Sequence, residues 1–133
     1  MYDNFDVFRW YPETRRVVPV GGVAARNAQE AVYRLVVGDW GDECFARLAG
    51  QPEPGAPIGR HGWALLHKGT LAQVCEGDVI DGKRITGGRE PHKSGSSGFV
   101  WLDPETPSRN GSTELYAHTF GLQWAHPKLR PAQ

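Results

Sequence analysis

The chain has 133 residues, and its 15 Lys and Arg are balanced by 15 Asp and Glu, so the formal net charge at neutral pH is zero. This balance excludes a global field that would draw the protein to nucleic acid or to a membrane, and any electrostatic partner must be recognised by a local patch. Five Trp, five Phe and four Tyr supply a core for a domain of this length. We therefore expect a single domain, residues 1–133, that folds without a disulfide or a metal.

The two cysteines and the N-terminus limit the class of protein further. Cys44 and Cys75 stand alone, without a Cys-x-x-Cys spacing or a neighbouring pair of His, so we predict two reduced thiols, no metal site and no cofactor. The N-terminus lacks the basic and apolar regions of a secretory signal, and no apolar run approaches the roughly 18 residues that span a bilayer. We expect a cytoplasmic protein without a membrane partner.

The chain begins with a pattern typical of a β-hairpin. Phe5 to Tyr11 carries apolar residues on both faces, which favours a central strand. A turn that starts at Pro12 leads to a second strand, Val17 to Ala25, and Pro19 within it indicates a bent edge strand.

Two helices are predicted after the hairpin. Asn27 is a good N-cap and Glu30 follows three residues later, so apolar residues at helical spacing predict a helix over Ala28 to Val37. A second, shorter helix is predicted from Asp42 to Gly50, with Cys44, Phe45 and Leu48 directed inward.

The rest of the chain alternates short apolar runs with turn signals, which is typical of strands. Asp81-Gly82 predicts a type I′ hairpin. The predicted strands are Trp63 to His67, Leu71 to Cys75, Asp78 to Ile80, Lys83 to Thr86, Phe99 to Leu102 and Thr113 to Trp124, the last with a kink at Gly121. The predicted fold class is α+β: an N-terminal β-hairpin with one packed helix, followed by a mainly antiparallel twisted sheet or partial barrel of short strands.

A glycine-rich basic loop between Lys83 and Gly98 is the strongest candidate for a working surface. Its glycines allow close backbone approach, its hydroxyls and N–H groups donate, and its cations attract anions. No P-loop ending is present, and a solvated loop of ordinary polar residues explains the composition equally well. The candidate anion-binding or partner-binding residues are Lys83, Arg84, Arg89, His92 and Lys93, with Arg15 and Arg16 of the first hairpin.

We predict that Arg89 and Lys93 contribute to function and little to stability, because a Gly- and Ser-rich connection buries little apolar area. Phe99 and Trp101, just beyond it, are predicted to be core residues. In the first hairpin, the rings of Phe8 and Trp10 are likewise expected in the core.

The leading hypothesis is a non-catalytic binding or regulatory protein that acts on a macromolecular partner through this loop. The partner is nucleic acid or nucleoprotein; the alternative is a protein partner, as for an inhibitor of the mobile-element type. Clustered cations near rings favour nucleic acid, and zero net charge opposes it. An enzyme is the alternative from another class, and its only candidate residues are His92, Glu114, Tyr116 and His118.

Overall fold

The computed structural model of the chain describes residues 2–36, 43–60, 62–91, 98–103 and 115–126. Within these ranges it contains one α-helix and ten strands in antiparallel sheets, so the predicted α+β class is confirmed. The strands are β1 (Asp3–Tyr11), β2 (Arg16–Ala25), β3 (Cys44–Leu48), β4 (Gly59–Arg60), β5 (Trp63–His67), β6 (Val79–Ile80), β7 (Lys83–Arg89), β8 (Phe99–Asp103), β9 (Leu115–Tyr116) and β10 (Leu122–Ala125). The helix, α1, is Ala28–Leu35, and a 3-10 helix, Ala117–Phe120, precedes β10.

The first sheet has the order β2-β1-β3, so β1 is central, as its two apolar faces predict. Phe5 and Val7 are fully buried and face α1, which packs its small residues Ala28 and Ala31 into the same cluster. The predicted N-cap is confirmed, because the Asn27 side chain accepts a hydrogen bond from the backbone N–H of residue 30 at 2.9 Å. The hairpin and its packed helix therefore form as predicted, except that α1 ends at Leu35, with Val36 as its C-cap; Val37, the predicted last residue, lies outside the described residues.

The predicted second helix is wrong, because Cys44–Leu48 is strand β3. Phe45, Ala46 and Arg47 are buried in succession, a pattern that one face of a helix cannot produce. β3 pairs with the free edge of β1, and the ring of Phe45 stacks on Phe8 at 5.5 Å. Pairing with a distant strand has overridden the local pattern.

The second half of the chain curls into a half-barrel made of two sheets, ordered β10-β5-β4 and β6-β7-β8-β9. Together they enclose a second apolar cluster, in which the side chains of Leu65, Ile85, Val100 and Leu122 are almost fully buried. The indole Nε1 of Trp124 on β10 donates to the backbone oxygen of residue 99 on β8 at 3.1 Å and joins the sheets.

The details of this half agree with the prediction only in part. The type I′ hairpin is confirmed, since Asp81 and Gly82 both have positive φ, 51° and 78°. In contrast, the predicted strand 71–75 is not formed: the segment makes only isolated bridges, at Gln73 and Cys75, and Leu71 at its start has a φ of 61°, outside the strand region. The predicted strand 113–124 is interrupted by the 3-10 helix, whose end at Gly121 has a φ of 72°.

A buried ion pair links the two apolar clusters. Arg47 on β3 is 4% exposed, and its Nη1 lies 2.8 Å from both carboxylate oxygens of Asp78, which directly precedes β6. Burial alone would lower the pKa of Arg47, but its hydrogen bond with Asp78 and the nearby negative charge outweigh burial, and the pKa is raised. A backbone hydrogen bond from residue 73 to residue 46, 3.0 Å long, also joins the halves. That residues 1–133 form a single domain stays a prediction.

In the part of the chain that the structure describes, no helix is both long enough and apolar enough to cross a membrane.

Candidate binding face

The glycine-rich basic loop is shorter than predicted, because β7 continues to Arg89 and includes Gly87 and Gly88. These residues pair with β8, where Gly87 lies opposite Trp101 and Gly88 opposite Val100. Because neither glycine has a side chain, a tryptophan ring approaches each of them: Trp101 at Gly87 and Trp124 at Gly88. His92 and Lys93, two of the predicted anion-binding residues, lie outside the described residues.

The remaining predicted cations of this stretch are divided between the two faces of the sheet. Directly opposed residues of antiparallel strands share a face. Lys83 lies opposite Ile80, which packs against the buried cluster, so Lys83 belongs to the inner side. Arg84 lies opposite Asp103 and is exposed, whereas Arg89 lies opposite Phe99. Only the two arginines therefore reach the outer side of the sheet.

A β-bulge at Thr86 brings Arg89 to the outer side. The register moves from Ile85 opposite Leu102 to Gly87 opposite Trp101, so that Thr86 is an extra residue on β7. In a regular strand that began at Arg84, residue 89 would point into the core, because successive side chains alternate. The bulge inverts the alternation, and the Thr86 hydroxyl donates to the backbone oxygen of residue 101 at 3.3 Å.

Trp101 is not a core residue, which corrects the prediction. Strand β8 directs Val100 and Leu102 inward, and the Trp101 side chain points outward with 41% of its surface exposed. A Cβ atom on Gly87 would lie only 3.0 Å from Cε3 and 3.4 Å from Cζ3 of this indole. The ring therefore lies against the bare backbone of Gly87, and the rest of its exposed surface faces solvent.

Phe99, also predicted in the core, is half-buried on the outer side and belongs to a row of stacked groups. The guanidinium carbon of Arg89 lies 4.8 Å from the Phe99 ring centroid. Tyr116 stacks on Phe99 at 5.0 Å, and His118 stacks on Tyr116 at 5.6 Å. We call this surface the outer face, and it comprises Val79, Arg84, Gly87, Arg89, Phe99, Trp101, Asp103, Tyr116 and His118.

The predicted arginines of the first hairpin do not join the outer face. Arg15 occupies the hairpin turn with a φ of 53°, pairs with Glu76 at 3.3 Å and lies 5.7 Å from the Trp10 ring centroid. Arg16 begins β2 and is exposed. Phe8 and Trp10, which were expected in the core, are half-buried.

A cleft of about 390 Å³ lies beside the Arg47–Asp78 pair, lined by residues that include Glu53, His67 and Ile80. The hydrogen-bonding groups of Arg47 are engaged by Asp78 and Gln51. Burial lowers the pKa of His67, which favours a neutral imidazole. Arg47 and Asp78, which both line this cleft, are therefore paired with each other across β3 and the start of β6.

Neither cysteine has the environment of a reactive thiol. Cys44 and Cys75 are both free. Burial raises the pKa of Cys75 to about 12, and burial also raises the pKa of Cys44. Both thiols therefore favour the protonated form, which is a poor nucleophile.

The candidates for an enzyme are only partly described. His92 and Glu114 lie outside the described residues, and Tyr116 and His118 stack on each other. Among the described residues, no group of three His, Cys, Asp or Glu could hold a metal ion. The enzyme hypothesis stays a prediction without support from these contacts.

No family model, curated protein or solved structure matches this chain. The function is therefore inferred from the chemistry of the site alone.

Proposed function

We propose that the protein is a non-catalytic binding protein for single-stranded nucleic acid, and that it binds on the outer face. The observation that carries the proposal is Trp101, an exposed indole that packs against Gly87 and lies between the rows of two arginines. Proteins that bind single strands combine aromatic rings, on which bases stack, with cations that contact the phosphates.

The open indole is the source of affinity in this proposal. Stacking of one base on an aromatic side chain is worth about 1–3 kcal/mol, and any base can stack because every base has a π-face. The Trp101 ring packs against Gly87, and this contact limits the positions of the indole and hence the conformational entropy that is lost when a base arrives.

Electrostatics should add a small term. The outer face carries two positive charges, on Arg84 and Arg89, and one negative charge, on Asp103. If the two arginines neutralise two phosphates, the logarithm of the binding constant should fall with a slope of about −1.4 against the logarithm of the salt concentration. This slope is an affinity loss of about sevenfold between 50 and 200 mM salt. A neutral chain with two cations on its binding face should thus bind weakly and with a shallow salt dependence.

A protein partner is the second candidate, because Trp, Tyr and Arg are the residues that dominate protein interfaces. The size of the outer face argues against it. The nine described residues of the outer face are far fewer than the roughly 20–30 residues that each partner contributes to a stable protein interface. A protein partner would have to contact much more than this face.

The test is a mobility-shift titration with labelled single strands at 50 and 200 mM salt. We expect binding by the wild type, and for Trp101→Ala a loss of about 5- to 150-fold, the equivalent of about 1–3 kcal/mol. Arg84→Ala should halve the salt slope. Arg16→Ala is the matched control, because Arg16 is an exposed arginine off the outer face. Absence of binding by the wild type at 50 mM salt would refute the proposal.

A further inference from the structure

A carboxylate lies beside Trp101 on the outer face. Asp103 is two residues further along β8, and Leu102 between them is buried, so the side chains of Trp101 and Asp103 are both on the outer side. Two residues of a strand span about 7 Å. Asp103 is exposed, and none of the described residues forms a hydrogen bond or an ion pair with it. Its two oxygens are therefore available to a ligand.

A base stacked on Trp101 can direct its Watson–Crick edge along β8 to Asp103. A hydrogen bond takes about 2.9 Å of the distance between the two rows, and half the width of the base together with the short Asp side chain takes the rest. Unpaired bases that stack on aromatic side chains are recognised through hydrogen bonds to this edge. A carboxylate accepts hydrogen bonds and donates none, so Asp103 favours an edge that presents N–H groups.

The bases differ in the N–H groups of this edge. Guanine presents two side by side, the ring N1–H and the exocyclic amino group, which match the two oxygens of one carboxylate. Adenine and cytosine present a single amino group beside a ring nitrogen that accepts, and thymine presents a single N–H between two carbonyl oxygens. From this arrangement we infer that Asp103 determines the specificity of the outer face, and that the base it selects on Trp101 is guanine. The inference rests on the proposed function and names its substrate class, unpaired strands that contain guanine.

The charges of the outer face give Asp103 two opposite effects on affinity. Arg84 lies directly opposite Asp103, so a cation is next to the carboxylate. The carboxylate still repels the phosphates of any bound strand, and it attracts only a base with suitable N–H groups. Removal of its charge should therefore strengthen binding to strands in general and weaken the preference for guanine. The ratio of two affinities, instead of either affinity alone, reports the contact.

The experiment is a fluorescence-anisotropy titration, at 50 mM salt, of labelled pentanucleotides of thymidylate whose central base is thymine, cytosine, adenine, hypoxanthine or guanine. Hypoxanthine is the sharpest comparison, because it is a purine that lacks only the amino group of guanine. The wild type should bind the guanine strand about fivefold more tightly than the hypoxanthine strand. This factor is near the lower end of the discrimination that a bidentate contact provides, as expected for an exposed carboxylate.

The controls separate the two proposals. Asp103→Asn should abolish the preference for guanine over hypoxanthine and retain binding of the thymine strand, which also shows that the variant is folded. Glu13→Gln removes an exposed carboxylate in the turn between β1 and β2, off the outer face, and should leave the ratio unchanged. Equal affinity of the wild type for guanine and hypoxanthine, or an unchanged ratio in Asp103→Asn, would overturn the role of Asp103 and leave the proposed function standing. Failure of every strand to bind would overturn both.

Discussion

The two faces of the β7–β8 pair are built from alternate residues of the same strands but differ in burial. The inner face carries Ile85, Val100 and Leu102, all buried in the half-barrel core. The outer face carries Trp101, whose side chain is 41% exposed. Because side chains in a strand alternate between faces, one short segment can specify both the core and a binding surface. Stability and binding should therefore respond to different substitutions in neighbouring positions.

Two tryptophans show this division most clearly. Trp124 on β10 is 8% exposed, packs into the core and donates its indole N–H to β8. Trp101 lies on the outer side of the β6-β7-β8-β9 sheet, against Gly87. The two residues have the same side chain but differ in burial, and burial determines the cost of truncation.

The largest expected effect is that of Trp124→Ala. Removal of this ring leaves a cavity between the two sheets and removes a hydrogen bond, so the free energy of unfolding should fall by about 3–5 kcal/mol. The measurement is urea denaturation followed by circular dichroism. Trp124→Phe is the control, since it keeps most of the ring volume and should cost less. A loss below about 1 kcal/mol for the alanine variant would show that the sheets are not joined through Trp124.

Arg47→Met should have a comparable effect. The substitution leaves the Asp78 carboxylate partly buried without its cation, and loss of one partner of a buried pair costs about 3–5 kcal/mol. Arg84→Met is the matched control on the outer face, where an exposed substitution should change the free energy of unfolding by about 0.5 kcal/mol or less. Equal effects of the two variants would contradict the assignment of Arg47 as a structural cation.

The elements that the sequence predicts correctly depend on local signals. β1, β2 and α1 follow from apolar spacing, Pro19 and the Asn27 cap, and the β6–β7 hairpin follows from the positive φ values that Asp81 and Gly82 adopt. β3 was missed because its identity depends on pairing with β1, which lies more than thirty residues earlier in the chain. No local pattern in residues 44–48 indicates that this segment pairs with β1.

The candidate site could be predicted only in part, and the bulge at Thr86 explains why. Arg84 and Arg89 were identified from charge alone, but the side of the sheet that each occupies depends on one extra residue in β7. Trp101 was assigned to the core because tryptophan in an apolar run is usually buried. The signal that could have located it is Gly87-Gly88: two glycines in a strand mark the close approach of another group, here one tryptophan on each face.

The two glycines should respond differently to alanine substitution. A Cβ on Gly88 would lie 2.5 Å from a backbone oxygen of β8 and 2.9 Å from the Trp124 ring, so Gly88→Ala should overpack the core and cost about 1–3 kcal/mol. Gly87→Ala meets only the exposed indole, which can move outward, and should cost less. Thermal denaturation of both variants measures the difference. A larger loss for Gly87→Ala would reverse the assignment of inner and outer faces.

Trp101→Ala should affect stability much less than Trp124→Ala. Its indole covers the Gly87 backbone but has a large part of its surface in water, and side-chain preferences on an exposed strand face span only about 1 kcal/mol. We therefore expect a loss of about 1 kcal/mol or less in urea denaturation, together with the largest loss of oligonucleotide affinity of any variant on the outer face. Trp101→Phe, which keeps a ring, should recover part of that affinity. If Trp101→Ala instead unfolds the protein as Trp124→Ala is expected to do, Trp101 is a core residue and the outer face has no stacking surface.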